Sequence, residues 1–137
     1  MSDKMLDRFT RPEFRTGGDP SADNIGDESL DCGAFGFLRG LRDRALMLEL
    51  RKKDGTVRAI GYAWLQMVEF DPSSGIVLSF PGSRIQLIGR NLNAEVRPGV
   101  RLFEGITRNR VPFVQEAGEV ELMQAIDGVT IIERIEW

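Results

Sequence analysis

Residues 76–92 of this chain, IVLSFPGSRIQLIGRNL, constrain its possible folds more than any other stretch. Apolar residues recur at every second position from 76 to 80 and again from 85 to 89. This period predicts two strands that each place one face on a core. Between them, Pro81-Gly82-Ser83 has turn chemistry, because proline presets one backbone torsion angle and glycine accepts a positive one. The stretch therefore predicts a β-hairpin that ends at Gly-Arg-Asn-Leu, where the chain leaves the sheet.

The chain before this hairpin shows the same alternation. Residues 46–50 and 57–64 alternate apolar with other side chains, and Asp54-Gly55 between them is a strong hairpin signal. Residues 65–70 continue as a third strand or as the far half of a bent one. Together these segments predict a continuous antiparallel meander of four or five strands over residues 45–90.

The pattern changes after the hairpin. Pro98 suits the first position of a helix, and the apolar residues that follow recur at spacings of three and four. These features predict an amphipathic helix over about 98–108. An edge strand is expected over 111–115, because Pro112 cannot donate a ladder hydrogen bond, and a last strand is expected over 129–135.

These elements predict an α+β fold that is mostly β. We expect a strongly bent antiparallel meander or a partly open small barrel, with one helix near 98–108 packed across an open end. The predicted core consists of Leu46, Leu48, Leu50, Ile60, Ile76, Leu78, Phe80, Ile85 and Leu87, closed by Phe103 and Ile106. Residues 1–33 are predicted to be an N-terminal arm with a flexible acidic linker, since this part is poor in apolar residues toward its end. Residues 34–137 are predicted to form a single β-rich domain.

A resemblance supports this architecture. The run Tyr62-Ala63-Trp64-Leu65, the strand 76–80 and the segment 85–92 that closes in Gly-Arg-Asn-Leu resemble small uncharacterised bacterial proteins with a β-meander ending in a GRNL motif. The resemblance covers roughly residues 46–116 and implies a following helix and one more strand, but no activity. A bent meander followed by a helix is also similar to pleckstrin-homology-like and Sm-like barrels, which is an architectural analogy, since fold does not imply function.

Composition excludes several kinds of chemistry. The chain has no histidine and one cysteine, Cys32, so neither a Ser-His-Asp nor a Cys-His catalytic set can form within it. Acidic residues around Cys32 are expected to raise the pKa of its thiol. We therefore predict that the chain is not an enzyme and holds no metal or other cofactor. One cysteine, no apolar run of 18 residues and no signal-like segment predict a cytoplasmic protein without a membrane partner.

The charges are unevenly distributed and suggest binding residues. Residues 84–110 hold six arginines and two acids, whereas residues 116–137 hold six acids and one arginine. The candidate binding residues, each with a purely structural alternative, are Arg90, Asn91, Arg97, Arg101, Arg108, Tyr62 and Trp64.

Each of these residues has two interpretations. Arg90 and Asn91 could form an anion-binding corner, or Asn91 could cap the chain after the strand. The other three arginines share one side of a helix over 97–108, which could bind phosphate or only face solvent. Tyr62 and Trp64 share one face of the predicted strand and could stack nucleic-acid bases, or could pack in the core.

The functional expectation favours binding over catalysis. We expect a non-catalytic protein-binding or assembly module, whose partner is an unknown protein or a second copy of the chain in a homodimer. The alternative is binding of single-stranded nucleic acid or another anionic ligand through the arginine-rich region 84–110.

Overall fold

A computed structural model describes residues 29–124 and 127–137 of the chain. The predicted arm and most of the acidic linker lie outside these residues. In chain order the described elements are β1 (Ser29–Asp31), β2 (Gly36–Leu38), β3 (Met47–Arg51), β4 (Val57–Gly61), a 3-10 turn (Tyr62–Trp64), β5 (Met67–Asp71), β6 (Gly75–Phe80), β7 (Ser83–Arg90), α1 (Leu102–Thr107), β8 (Phe113–Gln115), α2 (Glu119–Met123) and β9 (Ile131–Glu136).

Three sheets account for the described strands. Strands β1 and β2 form a pair, the order β4-β3-β8 forms a second sheet, and the order β5-β6-β7-β9 forms a third. This arrangement confirms a mostly β, α+β fold, and none of the three sheets closes into a barrel within the described residues. The segments Leu30–Leu38 and Arg44–Trp137 make up one compact unit. A second unit contributes Arg39–Asp43, in which the Asp43 N–H donates to the Gly40 carbonyl at 3.1 Å.

The predicted hairpin is present as β6 and β7. Ile76 pairs with Leu87 and Leu78 pairs with Ile85, and all four side chains are fully buried. The turn lies at Pro81-Gly82, with Gly82 at a φ of 71°. The hairpin prediction is confirmed, because both the alternation and the turn chemistry act over a few neighbouring residues.

The prediction of one continuous meander over 45–90 was wrong. The Tyr62 N–H still donates to the Leu46 carbonyl at 3.0 Å, but the chain then makes a 3-10 turn instead of continuing as a strand. After the turn, the Gln66 N–H donates to the Ser79 carbonyl at 2.9 Å, so β5 joins β6 in the other sheet. Residues 45–90 are therefore divided between two sheets.

The predicted edge strand is present as β8, and the chain around it connects the sheets. β8 pairs with β3 in the parallel direction. The Gln115 N–H donates to the Ala34 carbonyl at 2.9 Å, and the Ala117 N–H donates to the Ile132 carbonyl at 2.8 Å. The Glu116 carboxylate accepts the N–H of Lys53 at 2.8 Å and the N–H of Ile135 at 2.7 Å. This one carboxylate therefore joins the end of β3 to β9.

The predicted helix is shorter than expected. α1 begins at Leu102, because Pro98-Gly99 forms a tight turn with Gly99 at a φ of 75° and with the Val100 N–H donating to the Arg97 carbonyl. Leu102 and Ile106 are fully buried. The helix is thus a single short element packed on the core rather than a long amphipathic one.

The predicted core is mostly present. Leu48, Leu50 and the apolar residues of the β6–β7 hairpin are buried, as is Ile106. Ile60 and Phe103 are half-buried and pack against the core. Leu46 was wrongly placed there, because it lies in a bend before β3 and is 85% exposed.

Candidate functional site

The outer strand β4 presents backbone groups that β3 does not use. The Lys52 N–H donates to the Thr56 carbonyl at 2.8 Å, which fixes the hydrogen-bonding phase of the β3–β4 pair. In an antiparallel ladder the bonded residues alternate, so Arg58 and Ile60 direct their N–H and C=O groups toward β3. Val57, Ala59 and Gly61 direct their N–H groups away from it. Among the described strands, none pairs with this outer side of β4.

Apolar side chains lie along the same edge. Val57 is 54% exposed, Met47 47% and Trp64 65%. A Cβ added at Gly61 would lie 3.2 Å from Trp64 Cδ1 and 3.7 Å from Met47 Sδ, so the indole and the thioether meet over the bare backbone of Gly61. We call Met47, Val57, Ala59, Gly61 and Trp64 the edge patch. It occupies the side of the sheet opposite to the buried leucines of β3.

The edge patch lacks the features that usually prevent edge-to-edge pairing. Natural edge strands are commonly protected by charged residues, proline or bulges. β4 carries one charged residue, Arg58, and its side chain points to the other face of the sheet. There the Arg58 guanidinium carbon lies 4.4 Å from the centre of the Trp137 ring. The outward-bonded part of β4 is therefore uncharged, and no other described strand covers it.

The structure places Arg90 and Asn91 at the end of β7, beside a cleft of about 390 Å³ that Asp127 also lines. Arg90 Nε lies 3.2 Å from Glu133 Oε2 in an ion pair. Asn91 adopts a φ of 56° and donates from Nδ2 to the Val129 carbonyl at 2.9 Å. These contacts give Asn91 a role in holding the chain before β9, and they supply Arg90 with a carboxylate partner.

The other three arginines do not share a helix face, so that prediction was wrong. Arg97 lies in the Pro98-Gly99 turn, Arg101 precedes α1, and Arg108 follows it. Arg101 Nη2 lies 3.6 Å from the Glu95 carboxylate, and Arg108 Nη2 lies 3.5 Å from that of Glu104. The early turn separates the three positions, and the paired carboxylates reduce the positive potential of Arg101 and Arg108.

Tyr62 and Trp64 do not form a stacking pair either. Tyr62 is buried, and its hydroxyl donates to the Val111 carbonyl at 2.6 Å. Burial raises the pKa of the Tyr62 phenol. In a strand the two rings would share one face, but the 3-10 turn sends Tyr62 into the core and leaves Trp64 outside.

A second cleft, of about 310 Å³, adjoins Cys32 and is also lined by Glu116 and Glu121. Burial raises the pKa of the Cys32 thiol, Arg97 lowers it and Asp31 raises it to a smaller extent. The raised pKa of the Cys32 thiol agrees with the sequence prediction, although burial rather than acidic neighbours is its main cause. Across residues 29–124 and 127–137, no three Cys, Asp or Glu side chains are grouped closely enough to hold a metal ion.

Sequence reasoning missed a basic surface around Trp137. Lys52 Nζ lies 4.1 Å from the centre of the Trp137 ring, on which Arg58 also lies. Arg84, Glu136 and Trp137 line a small adjoining cleft of about 210 Å³. These residues come from four different strands or strand ends, so no local spacing reveals them. The sequence signals this surface only by an excess of basic over acidic residues across 39–58.

The helices that the structure describes are all too short to cross a lipid bilayer. Comparisons of the chain with protein-family models, with curated proteins and with solved structures found no match. The resemblance to bacterial proteins with a GRNL motif stays a prediction. A functional proposal therefore depends on the geometry of the described residues.

Proposed function

We propose that this chain is a non-catalytic protein-binding module that binds an extended segment of a partner protein along β4. The observation that carries the proposal is the open outer side of β4, with Val57 and Ala59 directing backbone groups outward beside the exposed ring of Trp64. Addition of a strand to such an edge uses main-chain hydrogen bonds for affinity and alternate side chains for specificity.

The two faces of the edge favour different side chains in the partner segment. On the edge-patch face, an apolar residue would cover Met47 and Trp64. On the opposite face, Lys52 and Arg58 meet at Trp137 and favour an acidic residue. The expected ligand is thus an extended peptide in which apolar and acidic residues alternate.

A binding role also agrees with the chemistry of the titratable groups. The pKa values of Cys32 and Tyr62 are both raised, so neither residue supplies a nucleophile or a base near neutral pH. We keep a cytoplasmic location and a partly open barrel of the pleckstrin-homology-like or Sm-like kind as parts of the proposal. The Glu116 carboxylate that joins β3 to β9 supports the barrel.

Selection from a displayed library of random peptides, with the chain at about 0.1 µM, tests the proposal. We expect enrichment of alternating apolar and acidic sequences, and loss of their binding in Val57→Lys. Val120→Lys is the matched control, because Val120 is 61% exposed on α2, outside the edge patch. Failure to enrich any peptide, or equal binding by both lysine variants, would overturn the proposal.

A second candidate function is binding of single-stranded nucleic acid at the Trp137 surface. Its support is the grouping of Lys52, Arg58 and Arg84 around one aromatic ring and its adjoining cleft. Fluorescence anisotropy with a labelled oligonucleotide should show an affinity that falls steeply with salt. Arg84→Glu should weaken binding, whereas Arg108→Glu should change it little, since Arg108 pairs with Glu104. An affinity that is independent of salt, or equal losses in both variants, would exclude this surface.

A further inference from the structure

We infer that a second copy of this chain binds the edge, with β4 of each copy pairing antiparallel about a twofold axis at Ala59. The inference rests on the proposed function, because it uses the same strand edge; β4 of a second copy supplies apolar residues to that edge but no acidic one. The pairing would join two copies of β8-β3-β4 into one six-stranded sheet, which is an ordinary sheet size.

The hydrogen-bonding phase of β4 permits this pairing without rearrangement. With the axis at Ala59, that residue faces Ala59 of the partner subunit, and both direct their N–H and C=O groups across the interface. The Gly61 N–H then faces the C=O of Val57 of the partner subunit. Symmetry doubles this second bond. The Gly61 C=O is the N-cap carbonyl of the 3-10 turn and is left out of the count, so the interface holds four main-chain hydrogen bonds.

The side chains on the edge-patch face are complementary in the same register. Val57 faces Gly61 of the partner subunit, which has no side chain. The Val57 isopropyl group therefore lies beside that glycine, against the partner's Trp64 and the partner's Met47, which cover its backbone. Each copy covers with its valine the apolar surface that the other copy exposes.

Charge selects this register over its neighbours. Arg58 faces Ile60 of the partner subunit when the axis lies at Ala59. A shift of the axis by one residue toward the start of β4 would place Arg58 directly opposite Arg58 of the partner subunit, and like charges in that position are destabilising. A shift toward the end of β4 would lose residue pairs, because the 3-10 turn begins at Tyr62. The Ala59 register alone pairs all five residues without facing like charges.

The area of the edge patch places the dimer among small interfaces. A large aromatic side chain buries about 150–250 Å², so Trp64, Met47 and Val57 together offer roughly 300–400 Å² in each copy at their observed exposures. With the strand backbone added, the interface stays below about 1,200 Å² in total, at the low end for specific complexes. We therefore expect a reversible dimer with a Kd on the order of 10 µM.

Sedimentation velocity of the full chain from about 1 to 200 µM tests the inference. We expect a monomer–dimer equilibrium, with the association constant at least tenfold lower in Val57→Lys and unchanged in Val120→Lys. A monomer throughout this range, or equal association constants in the two variants, would overturn it.

A cross-link tests the register itself. Residues facing each other in a hydrogen-bonded antiparallel pair have Cα atoms about 5.5 Å apart, within reach of a disulfide. In a Cys32→Ser background, Ala59→Cys should form a covalent dimer on mild oxidation much faster than Val120→Cys. Equal rates would overturn the Ala59 register. If the chain is a monomer but still binds the selected peptides through Val57, this inference is overturned and the proposed function stands. If the chain dimerises as expected but binds no peptide, only the proposed function is overturned.

Discussion

The hydroxyl group of Tyr62 donates a 2.6 Å hydrogen bond to the carbonyl oxygen of Val111, inside the core. This bond ties the 3-10 turn after β4 to the chain just before β8. Tyr62 is the only tyrosine of the chain, so its ionisation can be followed by absorbance without interference from another phenol.

The buried Tyr62 phenol makes the stability depend on alkaline pH. Burial raises its folded-state pKa, whereas the unfolded-state pKa is near its ordinary value of about 10. The stabilisation is therefore complete below pH 10 and is lost as pH rises above it, because only the unfolded chain releases the proton there. Between pH 8 and 11, urea unfolding should show a loss about 1 kcal/mol larger in the wild type than in Tyr62→Phe. Equal losses in the two proteins would contradict a raised pKa.

Substitutions at Leu46 and Leu48 test where β3 begins. Leu48 is buried and Leu46 is 85% exposed. Leu48→Ala should lower the free energy of unfolding by about 2–5 kcal/mol, since it leaves a cavity, whereas Leu46→Ala should change it by less than about 0.5 kcal/mol. Chemical denaturation of both variants measures the difference. A large loss in Leu46→Ala would show that the bend before β3 is packed.

The leucine pair also shows how far the sequence predicts the fold. Alternation correctly identified the buried residues of β6 and β7, because each pairs with a residue a few positions away across a turn. The same alternation wrongly predicts that Leu46 lies in the core, because the pattern continues past the point where β3 begins. A period of two carries no information about where a strand stops.

Long-range contacts explain what the sequence could not predict. The break at Tyr62 depends on the Val111 carbonyl, 49 residues away, which draws the phenol into the core. The separation of the arginines depends on the Pro98-Gly99 turn, where the sequence pattern predicts the start of the helix instead. The Trp137 surface joins side chains from distant parts of the chain. The sequence predicts a binding or assembly module but not the edge patch, because it does not show that β4 is an outermost strand.

The close approach of β7 and β9 requires glycine at position 89. A Cβ there would overlap the Ile131 carbonyl, at the point where the β7–β9 register shifts between Ile88 and Gly89. Gly89→Ala should lower the free energy of unfolding by about 1–3 kcal/mol, because backbone atoms cannot move aside as a flexible side chain can. Gly118→Ala is the control, with an expected change within about 0.5 kcal/mol, since its new Cβ meets only the movable end of Glu121. Thermal or urea unfolding distinguishes them, and similar losses would contradict the close approach.

The Glu116 carboxylate should contribute to stability through its two amide partners. Glu116→Ala leaves the N–H groups of Lys53 and Ile135 without this acceptor, so we expect the free energy of unfolding to fall by about 1–3 kcal/mol. Glu119→Ala, on the exposed side of α2, should have little effect. Amide exchange at Ile135 gives a local measurement, and should become faster in Glu116→Ala. Unchanged exchange there would show that water replaces the carboxylate without cost.

Hydrogen exchange along β4 should alternate from residue to residue. The amides of Arg58 and Ile60 bind β3, whereas those of Val57, Ala59 and Gly61 point outward. In dilute protein the two bound amides should therefore exchange about 100-fold more slowly than the three outward ones. If a second copy binds at β4, the Ala59 and Gly61 amides become protected as concentration rises. The Val57 amide gains less protection, because the Gly61 carbonyl that faces it is the N-cap carbonyl of the 3-10 turn. NMR exchange spectra at two protein concentrations measure both effects. Uniform exchange along β4 would contradict the hydrogen-bonding phase on which the edge proposal depends.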